Sequence, residues 1–424
     1  MALEVVEICA GAGGQALGLE KAGFEHALAV ELDENASNTL RHNRPRWEVK
    51  TGDVADTSVW KPSEYEGVAL LAGGVPCPPF TIAGKQLGAA DERDLFAWAV
   101  ELAGIVKPQA LLLENVRGLS MPRFAGYRQH VLDRLRELNY VAEWQLLHAS
   151  EYGVPQLRPR FVLVALQEEF ADYFHWPDSV GKPPTVGETL YDLMASDGWR
   201  GAKAWREKAN DIAPTVVGGS KKHGGADLGP TRAKRAWAEM GVDALGVADA
   251  PPTVHDDPEF MPKLTTEMVA RIQGWNDEEF PWFFTGRKTS RYRQIGNAFP
   301  PPVAAAVGEA IAAALKKEAG TRERKRDRTQ DPIYRVLRDS GDFMTATQIV
   351  REIKRTLKPD EAKEFKLEQH DLERRIALLG RDFDIEMSSK TDAIAYKLGQ
   401  FRAFVGQDDH IRHEQFLKNR AKIS

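Results

Sequence analysis

A cysteine enclosed by prolines is the first residue whose surroundings suggest chemistry. Cys77 lies in GGVPCPPFTIAG, residues 73–84, and is one of only two cysteines among 424 residues. Most unpaired cysteines are buried and behave as small apolar side chains, so packing is one interpretation. Prolines fix φ and leave a turn few other shapes, so a nucleophile held in place is the other interpretation. The remaining polar motifs decide between the two.

A carboxylate and two arginines follow at other predicted strand ends. Glu114 lies in Glu114-Asn115-Val116, which ends the predicted strand 109–116, whereas Cys77 follows the predicted strand 68–74. Parallel strands end at one edge of a sheet, so we expect Glu114 to face Cys77 and Asn115 to hydrogen-bond nearby backbone. In PQLRPR, Arg158 and Arg160 occupy alternate positions and point to one face. They suit a phosphate or a carboxylate, although a salt-bridged strand edge would have the same pattern.

A glycine-rich turn near the N-terminus has the pattern of a nucleotide site. The predicted strand 4–10 is followed by Gly11, Ala12, Gly13 and Gly14, which lead into a helix. Glu31 ends the second strand, in position to bind ribose hydroxyls, and Asp53 follows the third strand, near an adenine amino group. The pattern alone fits a nicotinamide dinucleotide, S-adenosylmethionine, or a tight turn that binds nothing.

The elements that carry these residues alternate between strands and helices. Further strands are predicted at 26–32 and 160–166, and helices at 34–42, 94–106 and 124–138. This alternation predicts an α/β fold, a doubly wound parallel sheet covered by helices on both faces.

Residues 168–263 are irregular and rich in Gly, Pro and Trp. Within 199–237, nine Lys and Arg residues against three Asp and Glu give a net charge of +6, with Trp199, Trp205 and Trp237 interleaved. Such a segment in a chain of net charge −5 is typical of a polyanion-binding surface, although a solvated lysine-rich surface has the same composition. The candidate DNA-binding residues are Lys221, Lys222, His223, Arg232, Lys234 and Arg235.

Helical patterns return at 264–275 and 303–319, and the charged stretch 320–330 predicts a linker. Residues 331–424 predict three amphipathic helices and a hairpin that resemble a winged helix. This module has 18 Lys and Arg against 17 Asp and Glu, so it lacks an obvious basic face. DNA binding and dimerisation both remain open as its role.

The overall composition is that of a soluble cytoplasmic protein. The chain is 42% hydrophobic and 28% charged, and no stretch approaches the roughly 18 apolar residues that span a membrane. The N-terminus lacks the basic start of a signal peptide. The two cysteines form neither a disulfide framework nor a metal-spaced cluster, so we expect no metal and a reducing compartment.

The order of the motifs resembles the cytosine-C5 DNA methyltransferase family. The glycine turn, PCPPF, ENV, QLRPR and RQIGNAFPPP follow one another over about residues 4–315. The resemblance implies a Rossmann-like catalytic domain in two parts, residues 1–167 and 264–319. It makes 168–263 an inserted target-recognition domain that reads DNA from the major groove, and it does not cover 331–424.

The resemblance also implies roles for the site residues. Cys77 would add to C6 of a flipped cytosine, and Glu114 would donate a proton to N3. Arg158 and Arg160 would orient Glu114 and the base, and S-adenosylmethionine would give its methyl group to C5. The implied cofactor-binding residues are Gly11, Ala12, Gly13, Gly14, Glu31, Leu32, Asp53, Val54, Pro76, Leu95, Asn297 and Ala298.

Two positions depart from the family pattern. Cys9 stands where the family usually has a phenylalanine that packs on adenine, and Pro78 stands where glutamine is common. Neither departure removes a group from the covalent chemistry. Cys9 itself we interpret as a packed core thiol.

The expected substrate is double-stranded DNA in a bacterial, nucleoid-associated cytoplasmic setting. A cognate restriction endonuclease is the expected functional partner, and we expect a monomer unless the C-terminal module dimerises. The alternatives are an RNA cytosine methyltransferase of the same fold and a DNA-binding regulator without activity. A nicotinamide dehydrogenase would leave PCPPF, ENV and QLRPR without a role.

Overall fold

The computed structural model describes residues 2–75, 95–218, 226–323, 330–357, 359–389 and 393–401. Five of the predicted site residues lie outside these ranges: Pro76, Cys77, Lys221, Lys222 and His223. The chain divides into two compact units. The first is Met1–Val75, Ile105–Asn115 and Trp144–Glu323, and the second is Pro76–Gly104, Val116–Glu143 and Arg324–Ser424.

The main feature is a seven-stranded sheet. Its strands are β1 (Leu3–Ile8), β2 (Phe24–Glu31), β3 (Val49–Thr51), β4 (Leu70–Gly74), β5 (Ala110–Val116), β6 (Tyr140–His148) and β7 (Pro159–Gln167). They lie in the order β3-β2-β1-β4-β5-β7-β6. β1 pairs in parallel with β2 and β4, β2 with β3, and β4 with β5. The strand order reverses between β1 and β4, which is where open α/β sheets bind their ligands.

The prediction of a wholly parallel sheet is wrong at one edge. The N–H of Ala149, just after β6, donates to the carbonyl of Arg158, just before β7, at 3.1 Å. Adjacent strands whose successive ends meet in this way run antiparallel, so the sheet is mixed. β6 was not predicted, because an edge strand needs no continuous buried run and YVAEWQLLH is mostly half-buried.

Four helices lie at predicted positions, α1 (Gly14–Lys21), α2 (Glu34–Asn43), α3 (Leu95–Val106) and α4 (Ala125–Glu137), whereas the short helix α5 (Glu168–Ala171) was not predicted. Asp33 caps α2 by accepting hydrogen bonds from the N–H groups of Asn35 and Ala36.

The irregular region and the segment after it contribute short helices to the first unit. These are α6 (Val186–Ala195), α7 (Ala202–Lys208), α8 (Thr231–Glu239), α9 (Thr266–Ile272), α10 (Lys288–Asn297) and α11 (Pro301–Leu315). Trp199, Trp205 and Trp237 are at most 4% exposed and belong to one hydrophobic cluster. The interleaved tryptophans are therefore core residues and not stacking platforms for bases, because an irregular segment needs large apolar side chains to fold.

The last helix of the first unit packs tightly on its first helix. A Cβ at Gly18 of α1 would lie 2.5 Å from the Pro301 carbonyl oxygen and 2.7 Å from the Ala305 nitrogen. A Cβ at Gly308 of α11 would lie 2.8 Å from the Cβ of Ala22. Residues 288–315, which include α10 and α11, are long and apolar enough to cross a membrane, but 67% of their most apolar window is buried in the protein. They have the burial of core helices.

The C-terminal module belongs to the second unit and has a winged-helix-like order of elements. It contains α12 (Pro332–Ser340), β8 (Met344–Thr345), α13 (Ala346–Thr356), α14 (Pro359–Glu364), α15 (Gln369–Leu379), β9 (Phe383–Ser388) and β10 (Ala395–Phe401). Its strands form an antiparallel sheet in the order β8-β10-β9. Within this unit the module contacts α4, where the Tyr334 hydroxyl hydrogen-bonds Nδ1 of His130 at 2.9 Å.

The contact between α1 and α11 makes a stability prediction. Gly18→Ala should lower the free energy of unfolding by about 2 kcal/mol, because the added methyl group meets backbone atoms that cannot rotate away. Gly320→Ala is the matched control, since a Cβ there meets nothing within 4 Å. Urea unfolding of both variants measures the difference. A Gly18→Ala variant as stable as the control would contradict the packing described.

Candidate active site

The glycine turn leaves its backbone open to a ligand. Gly11 has φ +56° and Gly13, the N-cap of α1, has φ +93°, conformations that favour glycine. Among the described residues, a Cβ at Gly11 would meet nothing within 4 Å, so a ligand can approach the backbone there. Cys9, the residue after β1, also has positive φ, +51°, and is half-buried, so the prediction of a packed core thiol is only partly right.

The Glu31 carboxylate is fixed at the end of β2. Its Oε2 accepts from the N–H of Gly11 at 2.8 Å, and its Oε1 accepts from the N–H of Asp33 at 2.7 Å. Burial raises the pKa of Glu31, and these hydrogen bonds from Asp33 and Gly11 oppose the rise. The neighbouring Leu32 is 58% exposed, which is unusual for a large apolar residue and leaves its side chain available to a planar ligand.

The turn after β3 ends at the same edge of the sheet. Asp53 Oδ1 accepts from the N–H of Ala55 at 3.0 Å. Val54 is buried, and its carbonyl accepts from the indole N–H of Trp60 at 2.8 Å. These bonds hold the turn that carries Asp53, the predicted adenine contact, and Val54, a predicted cofactor-binding residue.

The segment after α10 packs against the glycine turn. A Cβ at Gly14 would lie 2.9 Å from the Cβ of Ala298 and would also meet the Phe299 carbonyl oxygen. Asn297 is the exposed last residue of α10. The structure thus brings the predicted positions Gly14 and Ala298, distant in sequence, into direct contact. The other predicted cofactor residue, Leu95, begins α3 and belongs to the second unit.

Glu114 and Arg160 form a buried ion pair at the carboxyl end of β5. Arg160 Nε lies 2.6 Å from Glu114 Oε1, and the two side chains are 11% and 10% exposed. Burial raises the pKa of Glu114 above its ordinary value, against the opposing charges of Arg160 and Arg158. The site therefore favours a carboxyl group that can hold a proton.

The main chain that leads to Cys77 begins beside this carboxyl group. Gly74 of β4 pairs with Glu114 of β5 in the register of the sheet. The side-chain amide of Asn115 donates to the carbonyl of Val75 at 3.4 Å, as expected from its position after Glu114. Val75 is the last described residue before the segment that contains Cys77.

Arg158 makes different contacts from Arg160. It is fully buried, and its guanidinium donates to three backbone carbonyls, those of Val216 (2.7 Å), Gly296 (2.8 Å) and Ala298 (2.7 Å). It therefore joins the residue before β7 to the irregular region, to the last turn of α10 and to the residue after α10. It reaches Glu114 through its charge alone. The period-two pattern did not reveal this difference between the two arginines.

The candidate DNA-binding residues within the described ranges lie on α8. Arg232 and Arg235 are exposed, whereas Lys234 pairs with Asp227 at 2.7 Å. Ala233 and Trp237 form the buried face of the same helix.

Sequence reasoning missed two residues at the glycine turn. Trp282 donates its indole N–H to the carbonyl of Ala12 at 2.7 Å, and no sequence signal pointed to it. Gln15 is 3% exposed, and neither polar atom of its side chain has a partner among the described residues. A polar residue directly after a glycine turn, on the buried face of a helix, was a signal that could have been noticed.

Two further features bear on other kinds of site. Across the described ranges, no cluster of three His, Cys, Asp or Glu side chains could hold a metal ion. A cavity of about 640 Å³ is lined by residues that include Tyr152, Arg271, Trp275 and Glu309. None of the predicted site residues lines this cavity.

Comparison with known proteins gives one family and close relatives. The model of the family "C-5 cytosine-specific DNA methylase" matches residues 3–313. The Type II methyltransferase M.NaeI of Lentzea aerocolonigenes is 68% identical over 422 residues, which are 100% of this chain and 99% of the relative. The Type II methyltransferase M.NgoMIV of Neisseria gonorrhoeae is 51% identical over 317 residues, 74% of this chain and 98% of the relative.

A solved structure shares the fold at low sequence identity. The crystal structure of a mutant DNMT2 from Spodoptera frugiperda aligns with a TM-score of 0.52 and 18% identity, covering 73% of this chain and 99% of its own. At that identity the likeness concerns the fold alone.

The different contacts of the two arginines make a prediction. Arg158→Met should lower the free energy of unfolding by about 3 kcal/mol or more, because it leaves three buried carbonyls without a donor. Arg160→Met should cost less, since Glu114 can become neutral by binding a proton, yet it should lose most methylation activity. Urea unfolding followed by tryptophan fluorescence, with a parallel methylation assay, tests both. Equal destabilisation by the two variants would contradict the structural role of Arg158.

Proposed function

The chain belongs to the C-5 cytosine-specific DNA methylase family and methylates cytosine in DNA, and we propose that it is the modification enzyme of a restriction–modification system. The observation that carries this proposal is the match to a Type II methyltransferase at 68% identity over the full length of both chains. A cognate restriction endonuclease is the functional partner we propose, with the bacterial cytoplasm as the compartment.

The proposed covalent chemistry uses Cys77 and Glu114. C5 of cytosine is a weak nucleophile, so the Cys77 thiolate adds to C6 and forms an S–C6 bond. The electron pair displaced from the C5–C6 double bond moves toward N3, which takes a proton from the Glu114 carboxyl group. C5 is then nucleophilic. After C5 has taken the methyl group, a base such as water removes the C5 proton, and that electron pair re-forms the C5–C6 double bond as the S–C6 bond breaks and Cys77 leaves as the thiolate. N3 returns its proton to Glu114, which completes the cycle.

The geometry of Glu114 supports its part in this chemistry. Its Oε1 is held by Arg160 at 2.6 Å, so the carboxyl group has one orientation and Oε2 is left to carry the proton. Burial raises the pKa of Glu114, which favours the protonated form that the step requires. Arg160 then stabilises the carboxylate that forms when the proton moves to N3.

We propose S-adenosylmethionine as the methyl donor, and the residues at the sheet edge fit it. Glu31 offers a fixed carboxylate to ribose hydroxyls, Leu32 an exposed apolar surface to adenine, and Gly11 an open backbone. Gln15 offers a buried amide without a partner in the described structure. When bound, the donor supplies an electrophilic methyl group to C5. The proposed binding residues remain those of the glycine turn together with Glu31, Leu32, Asp53, Val54, Pro76, Leu95, Asn297 and Ala298.

Duplex DNA is the proposed substrate, and its target cytosine must leave the base stack to reach Cys77. The proposed target-recognition domain is 168–263, between the two parts of the catalytic domain. Arg232 and Arg235 of α8 are exposed cations suited to phosphates or bases, and Lys234, Lys221, Lys222 and His223 complete the proposed contact set.

The C-terminal module is proposed as an accessory domain, 331–424, joined by the linker 320–330. M.NgoMIV matches 74% of this chain over 98% of its own length, so it has no room for a counterpart of the module. The module is therefore not part of the core that all the relatives share. DNA contact and dimerisation remain its two candidate roles.

Methylation by the purified chain tests the function. With tritiated S-adenosylmethionine, we expect label at C5 of cytosine in duplex DNA and none in RNA. Cys77→Ala should lose the labelling and also the covalent adduct with DNA that carries 5-fluorocytosine, which a denaturing gel resolves. Cys9→Ser is the matched cysteine control and should keep the adduct. Label in RNA alone would overturn the substrate, and full labelling by Cys77→Ala would overturn the mechanism.

A further inference from the structure

Gln15 is a buried amide that has no hydrogen-bond partner among the residues that the structure describes. It is the second residue of α1 and is 3% exposed. Neither its Nε2 nor its Oε1 has a hydrogen-bond partner in the described part of the chain. A buried amide without partners costs free energy, and leucine would fill the same space at no such cost. The side chain is therefore suited to a group that arrives from outside.

The amide lies at the point where the sheet binds its ligands. Gly74 ends β4 and Cys9 follows β1, the two strands between which the strand order reverses. A Cβ at Gly74 would lie 3.8 Å from Gln15 Oε1, 3.8 Å from Glu114 Oε2 and 3.7 Å from the Cys9 carbonyl oxygen. The amide and the catalytic carboxyl group thus border the same small volume above Gly74.

We propose that the side-chain amide of Gln15 binds the amino-acid end of S-adenosylmethionine. Its Oε1 accepts a hydrogen bond from the α-ammonium group, and its Nε2 donates to the α-carboxylate. This inference rests on the proposed function, because it takes the methyl donor from it. It adds a residue outside the glycine turn itself to the binding site.

The positions along the sheet edge favour the amino-acid end over the ribose. Glu31, the fixed carboxylate suited to ribose, ends β2 on one side of β1. Gln15 lies on the other side, toward β4 and Glu114. The proposed methyl donor has its ribose at β2 and its methyl group directed toward the cytosine at Glu114. Its sulfur and its amino-acid end must therefore lie beside Gln15.

The chemistry of the amide matches this end of the donor. A zwitterionic amino acid needs both an acceptor and a donor, and a glutamine side chain provides one of each. The α-carboxylate is also favoured near the N-terminus of α1, an eight-residue helix whose first N–H groups have no helical partner. An aspartate or glutamate at this position would repel that carboxylate.

Two ligands without DNA separate the amino-acid end from the rest. S-Adenosylhomocysteine contains adenine, ribose and the amino-acid end, whereas 5′-methylthioadenosine contains adenine and ribose but no amino acid. Isothermal titration calorimetry of the full chain should show that Gln15→Leu lowers the affinity for S-adenosylhomocysteine by about tenfold or more. This is the loss expected when hydrogen bonds to charged groups are removed. The affinity for 5′-methylthioadenosine should stay unchanged.

Two further variants make the result decisive. Glu31→Gln should lower the affinity for both ligands to a similar extent, since both contain ribose. Gln15→Met, which keeps the length of the side chain, should reproduce Gln15→Leu and guards against misfolding of one variant. Equal loss of both ligands, or loss of neither, would overturn the role of Gln15. A wild-type chain that binds neither ligand and methylates no DNA would instead overturn the proposed function, and this inference with it.

Discussion

The proposed chemistry depends on one carboxyl group, that of Glu114, which must keep a proton beside a guanidinium. Arg160 lies 2.6 Å from Glu114 and favours the ionised form, whereas removal from water disfavours it. Burial has the larger effect, because the pKa of Glu114 is raised despite both arginines. The chemistry proposed for Cys77 works only while this balance holds. Any change that admits water to Glu114 would lower its pKa and leave N3 without a proton donor.

The fold keeps Glu114 buried beside Arg160 by bringing together segments that are far apart in the sequence. Arg158 donates to carbonyls of the irregular region and of the C-terminal end of α10, so the start of β7, which carries Arg160, stays packed against both. Ala298 lies against Gly14, and α11 packs on α1 where glycines leave room for backbone contact. The contact of Gly14 with Ala298 and the contact of α1 with α11 both need close backbone approach, which explains why the turn and the helix interface use glycine.

The sequence predicted the site residues through local patterns and missed what depends on tertiary contacts. The strand–helix alternation located β1, β2, β4, β5 and β7, and the motif order led to the family that the comparison shows. The edge strand β6 has no buried run, so its pattern is weak. Arg158 and Arg160 look alike in PQLRPR. Only the fold shows that Arg158 binds backbone carbonyls whereas Arg160 pairs with Glu114. Trp205 and Trp237, interleaved among lysines and arginines, suggested a binding surface, but burial in a small irregular core explains them. Gln15 directly after the glycine turn was a local signal that was overlooked, and its lack of partners among the described residues is visible only in the fold.

The dependence of the methylation rate on pH tests the protonated Glu114 most directly. At saturating DNA and methyl donor, the rate should fall as pH rises through an apparent pKa well above that of an ordinary carboxyl group. Arg160→Gln removes the charge that stabilises the carboxylate, so the pKa of Glu114 should rise and the falling limb of the residual activity should move to higher pH. A falling limb that stays in place or moves to lower pH in this variant would contradict the account.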